Sequence, residues 1–216
     1  TRVLLDLGLE RWDFRRADDT AEAFVLPRDT FESVARLETQ TVLGSTTLTL
    51  AGEAGWRADW EAWGMNAENA PKRSWRRGQI GIVRETTPFP LAKLNLKAQF
   101  LAGSDLDRFS APSPGRFGGI RVRGVASGRV TPERLALVGG SFAVPVGPRL
   151  RFEVGADAAW AWEERSGYDG RFLAGVGVGI SAKGPWKTLL EASASYPVST
   201  PGERGVAFEV FLLRPL

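Results

Sequence analysis

The residues of this chain best suited to chemistry are charged, and what is missing around them narrows that chemistry. The 216 residues include no histidine and no cysteine. Ser-His-Asp catalysis, histidine proton shuttles, thiolate chemistry and His-assisted metal sites are therefore excluded, as is a disulfide scaffold. Carboxylates and cations remain. Glu53, Arg57, Asp59, Lys93, Lys97, Arg151, Glu153, Asp157 and Glu191 fall on one side of their segments when alternate positions are read together. A set of mixed sign can line an ion or substrate path, or it can fill an interior with paired charges. Asp59 and Glu61 could act as an acid/base pair, yet neighbouring carboxylates on one side of a segment arise by chance. No enzyme activity, cofactor or metal is expected. The GVGVG run at 175–179 resembles a nucleotide loop only superficially, because it lies inside a strand pattern instead of between a strand and a helix. Its glycines are expected to thin a wall or permit curvature.

The elements that must position these charges follow a two-residue period almost throughout. In 149–162, RLRFEVGADAAWAW, the apolar or small side is Leu150, Phe152, Val154, Ala156, Ala158, Trp160 and Trp162, and the other side carries Arg151, Glu153 and Asp157. Similar alternation marks 3–10, 33–41, 47–62 and 92–100. The stretches 75–85, 134–145, 171–182, 187–196 and 205–213 complete about ten strands within a range of 8–12. Several run well beyond the ordinary strand of about 5–6 residues. Fourteen residues at about 3.3 Å, tilted roughly 40°, rise about 35 Å, enough to cross a bilayer.

The connections alternate in length. Long or medium stretches at 15–29, 64–74, 103–133, 163–170 and 197–204 are separated by short ones at 43–46, 86–90, 146–149 and 183–185. In an up-and-down barrel that places long loops at one end and tight turns at the other, as transmembrane barrels do. Trp12, Trp60, Trp63, Trp75, Trp160 and Trp162 fall at the long-loop end. Trp186 sits at the other end and Trp56 toward the middle. Indoles favour a membrane interface, so the first six are expected to form an aromatic girdle. The expected fold is one domain over 1–216: an all-β, antiparallel, up-and-down transmembrane β-barrel whose long loop, about 103–133, turns into the lumen. At about ten strands the lumen is expected to be filled by side chains. A soluble β-sandwich also alternates and stands as the alternative fold.

Net charge is only +3 at pH 7. Basic and acidic residues interleave, so no nucleic-acid partner is expected. No run of eighteen apolar residues exists, which excludes a transmembrane helix and leaves a barrel open. No signal-peptide pattern opens the chain at Thr1, as a mature exported protein would read.

The second half, about 90–216, resembles the C-terminal part of the barrel of the BamA-like superfamily of outer-membrane insertases and translocators. FGGIRVRGV at 117–125 supplies Arg123 and Gly124 of that family's lumen-loop motif, with Val125 where an aromatic is usual. GADAAWAW at 155–162 supplies Asp157 and Trp162, with Ala159 where glycine is usual. LALVGGSFAVPV ends at a proline before a tight turn, with Ser141 where an acid is common. ERGVAFEVFLL resembles the barrel C-terminal signal through Glu203, Gly205, Phe208 and Val210, although the chain continues to Arg-Pro-Leu. The resemblance implies that Arg123 reaches into the lumen and pairs with Asp157, pinning the loop.

It also implies a bacterial outer-membrane location, outer-membrane lipid and other envelope proteins as partners, and a role in insertion or passage of client molecules. The family's periplasmic repeat domains are not found in the chain, and ten strands fall short of its larger barrel. A reduced barrel, a fragment and one subunit of a larger assembly are the forms expected from this. The alternative functions are a structural barrel anchoring an envelope or cell-surface complex, and a soluble sandwich acting as a binding module.

Overall fold

A computed structural model of the chain describes residues 1–112, 120–125, 130–163, 168–184, 188–199 and 205–213. Among these there is no helix. Twelve strands occur: β1 (Arg2–Trp12), β2 (Phe24–Val25), β3 (Thr30–Leu43), β4 (Thr46–Arg57), β5 (Gly64–Met65), β6 (Ser74–Phe89), β7 (Ala92–Ser104), β8 (Arg134–Val146), β9 (Leu150–Glu163), β10 (Tyr168–Lys183), β11 (Leu189–Ser199) and β12 (Ala207–Leu213). Ten of them make one antiparallel sheet in the order β1-β3-β4-β6-β7-β8-β9-β10-β11-β12. All ten sequence-derived segments lie within or overlap these strands. The short β2 and β5 pair with each other and tie the loop after β1 to the loop after β4.

Alternation sorts side chains onto two faces. The outer face carries exposed Leu5, Leu7, Leu48, Leu50, Ile80, Ile82, Leu96, Phe100, Phe152, Val154, Val176, Val178 and Ile180. These are the long apolar rows read from the sequence. No second sheet packs over them among the described residues, so a sandwich is not the architecture.

The inner face is covered by the segment between β7 and β8. Ile120, Val122, Val125 and Val130 from that segment pack with inward Leu101, Leu135, Leu137, Ala159, Ala161 and Leu173 in one buried cluster. The carbonyl of Arg121 accepts from Lys97 on β7 at 3.0 Å, and its guanidinium lies 3.4 Å from Glu209 on β12. Those strands are five steps apart in the sheet, or about 24 Å if it were flat at about 4.8 Å per step. Side chains stand off a sheet instead of lying along it, so one residue spans this distance only if the sheet curls toward the loop.

Three expectations are corrected here. Among the described residues the ladder is not a closed barrel: β1 pairs there only with β3, and β12 only with β11. Alternation specifies faces, whereas closure depends on strand number, tilt and stagger together, which a hydrophobic pattern does not encode. The strands on either side of the connection expected at 163–170 also reach further than the pattern implies, β9 to Glu163 and β10 from Tyr168, and the residues between them lie outside those described. Finally, the 47–62 alternation overruns its strand, since β4 ends at Arg57.

Candidate functional site

Asp157 lies on the inner face of β9, opposite Gly139 on β8 and Gly175 on β10. The next inward position on β9 is Gly155, opposite Gly177 on β10. Alternation places these glycines on the inner face, and their missing side chains leave a recess in the wall. Residues 121–125 fill it. A methyl at Gly155 would lie 2.5 Å from the Arg123 Cζ, and one at Gly177 would lie 3.1 Å from the Arg123 Cδ. A methyl at Gly175 would collide with the Arg123 carbonyl oxygen. Gly124 adopts φ +76° and presses against the backbone of Tyr196 and Pro197 on β11. A side chain there would meet both strain and collision.

Within this recess Arg123 is bound from three directions. Its Nη1 donates to Asp157 Oδ2 at 2.9 Å, its Nη2 to Glu153 Oε1 at 3.0 Å, and its amide to Asp157 Oδ2 at 3.1 Å. Lys97 Nζ lies 3.0 Å from the other Asp157 oxygen. The Asp157 side chain is fully buried and that of Arg123 is 11% exposed. Two cations therefore flank one buried carboxylate, and a second carboxylate shares the guanidinium. Charge-assisted bonds at these distances are the strong class of hydrogen bond. Removing one member from a buried arrangement of this kind typically costs about 3–5 kcal/mol.

Beside the recess is a cavity of about 180 Å³ lined by Arg121, Arg123, Arg151, Glu153, Glu191, Ser193 and Ser195. Across the sheet a second polar cavity of about 280 Å³ is lined by Asp6, Glu10, Glu32, Arg36, Glu53 and Arg77. The inward charges are largely paired: Glu53 accepts from Arg77 at 2.8 and 2.9 Å. Among the described residues no group of three or more His, Cys, Asp or Glu side chains is arranged to hold a metal. Asp59 and Glu61 lie beyond the end of β4, and Glu61 is engaged by Arg28 at an exposed ion pair, 2.8 Å. That hydrogen bond to Glu61 pushes the Arg28 guanidinium further up, with Coulombic attraction second.

The girdle needs the largest correction. Trp160 is exposed on the outer face with its ring tilted against that of Phe172, and Trp162 shares its side of β9. Trp60, Trp63 and Trp75 are buried. Trp12 packs edge-on against Phe109 with their centroids 5.6 Å apart. Trp60 and Trp63 miss the outer face because the chain has already left β4 and folds across the end of the inner face. Trp12 and Trp75 miss it by strand parity. Trp56, left out of the girdle, is outward and 53% exposed near the long-loop end of β4.

At the C-terminal signal, Phe208 and Val210 are exposed on the outer face of β12, and Gly205 precedes that strand with φ +117°. Glu203 and Trp186 lie outside the described residues.

The sequence reading did not find the loop-facing apolar patch. Its signal was LALV at 135–138, apolar on both sides of the strand: Leu135 and Leu137 are buried beneath the loop, while Val138 is exposed on the outer face. No protein-family model matches the chain, and no curated protein matches it.

Proposed function

We propose that this chain is a non-enzymatic outer-membrane β-barrel protein of the kind it resembles, the BamA-like translocators. In this reading the outer face meets lipid, the inner face holds a plugging loop, and the protein assists insertion or passage of client molecules. One observation carries the reading: Arg123 is seated in a recess cleared by Gly155, Gly175 and Gly177 and bound to Asp157 and Glu153. A loop built so deeply into the wall favours a conduit whose opening is controlled. The continuous apolar outer face supports a lipid environment, since exposed patches of this extent are otherwise rare on soluble proteins. Bacterial outer membrane is the corresponding location, with lipid and other envelope proteins as partners.

A second reading rests on the order of the sheet. Among the described residues β1 and β12 stand at opposite ends of the ladder and do not pair with each other, whereas a sheet in hydrocarbon must have its edges closed. This favours a barrel subunit that is completed by strands of a larger envelope complex and anchors it without translocating anything. Reconstitution separates the two. Translocator function predicts faster folding of a client barrel into liposomes carrying this chain than into empty ones. Equal rates would leave the anchor reading.

A further inference from the structure

A second charge cluster lies at the long-loop end of β1, β3, β4 and β6, and it shares no residue with the Arg123 recess. Arg57, the last residue of β4, is 1% exposed. Its Nε donates to Glu32 Oε1 on β3 at 2.7 Å, and its Nη1 donates to Asp107 Oδ2 in the loop after β7. Trp75 Nε1 donates to the same Glu32 oxygen at 2.8 Å. The second oxygen of Asp107 accepts from the amides of Phe109 and Ser110 and from the Ser110 hydroxyl, at 3.0, 2.9 and 2.9 Å. Asp107 is thus committed on both sides, to the wall and to its own turn.

Aromatic packing completes the cluster. The Arg57 guanidinium lies over the ring of Trp60 at 4.5 Å. Phe109 is surrounded by Trp12, Phe14, Trp60 and Trp63 at centroid distances of 5.1–5.6 Å. Here too the wall is cleared by glycine. A methyl at Gly103 would lie 2.5 Å from the Leu106 side chain, and one at Gly55 would overlap the Trp75 indole. Trp75, Leu106 and Ala111 form a buried cluster separate from the one around Val122.

We propose that Arg57, Glu32 and Asp107 form a second anchor, which pins residues 105–111 and closes the long-loop end of the inner face independently of Arg123. The two anchors have opposite polarity. At one, a loop arginine meets wall acids; at the other, a loop acid meets a wall arginine. Interchanging the two loop segments would bring like charges together, so the pair enforces one seating of the loop. Arg57 is a positioning residue in this scheme. The inference concerns the loop and the inner face and holds whatever surrounds the outer face.

The absence of native cysteine allows a direct test in the full chain refolded in detergent micelles. Ala111→Cys and Val122→Cys each place a thiol at a buried position of one loop segment. Maleimide labelling rates are then compared with and without Asp107→Asn or Asp157→Asn. Independent anchors predict that Asp107→Asn speeds labelling at 111 by about tenfold or more, as loss of a buried charge partner does, and leaves 122 unchanged. Asp157→Asn gives the reverse pattern. Should Asp107→Asn prevent folding, Arg57→Lys keeps the charge but loses the planar fork, and the same pattern at 111 is expected. Acceleration at both sites by either variant, or at neither, overturns the proposal.

Discussion

Replacing Arg123 with alanine deletes two guanidinium hydrogen bonds, to Asp157 and to Glu153, and leaves the amide bond to Asp157 in place. Each charge-assisted bond contributes about 1.5–3 kcal/mol. The Glu153 half is discounted, because that side chain is 38% exposed and water can take over its partner's role. The expected loss of stability is therefore about 3 kcal/mol, at the lower end for a broken buried pair. Asp157→Ala removes the acceptor of Arg123 Nη1 and of its amide, together with the carboxylate beside Lys97, and should cost about 3–5 kcal/mol. In the double variant the Arg123–Asp157 contact is lost only once, so its loss should fall short of the sum by about 1–3 kcal/mol. Equilibrium urea unfolding of the detergent-solubilised chain and its three variants measures this coupling. Losses that add to within about 0.5 kcal/mol would mean that the two side chains do not act on each other, and the anchor would have to be abandoned.

Gly175→Ala places a methyl against the Arg123 carbonyl and should destabilise the fold by about 1–3 kcal/mol, whereas Gly52→Ala, with open space around it, should stay within about 0.5 kcal/mol; unfolding midpoints distinguish them. Trp75→Phe removes the donor to Glu32 and should cost about 1–2 kcal/mol in the same assay. Val154→Arg puts a charge on the outer face and should cost about 2–4 kcal/mol when unfolding is followed in liposomes; an unchanged value there would argue against lipid contact.

Most of the sheet was legible because one physical rule governs it: a residue and its second neighbour share a face. The same rule, applied strictly, already separates the tryptophans. Trp12 has the parity of Asp6 and Glu10, and Trp75 that of Arg77, so both belong with the inner set. Grouping them by nearness to the long-loop end hid this. Trp60 and Trp63 were not legible, since nothing local marks Arg57 as the last residue of β4; just beyond it the Asp59 amide donates to the Thr30 side chain instead of to a ladder carbonyl. The contact between Asp107 and Arg57 joins residues 50 positions apart through a loop whose path no periodicity describes. The pairing of Arg123 with Asp157 came from the family resemblance, and glycine supplied the supporting sign, because GVGVG puts Gly175, Gly177 and Gly179 on the face where Arg123 docks.

The claim on which the account rests most heavily is that the outer face is a lipid face, and membrane fractionation with heat-dependent gel mobility tests it most directly. The chain should sediment with membranes, require detergent for extraction, and migrate differently before and after boiling, as a folded transmembrane sheet does. Recovery of a folded, monomeric chain in plain buffer, with mobility indifferent to heating, would contradict it.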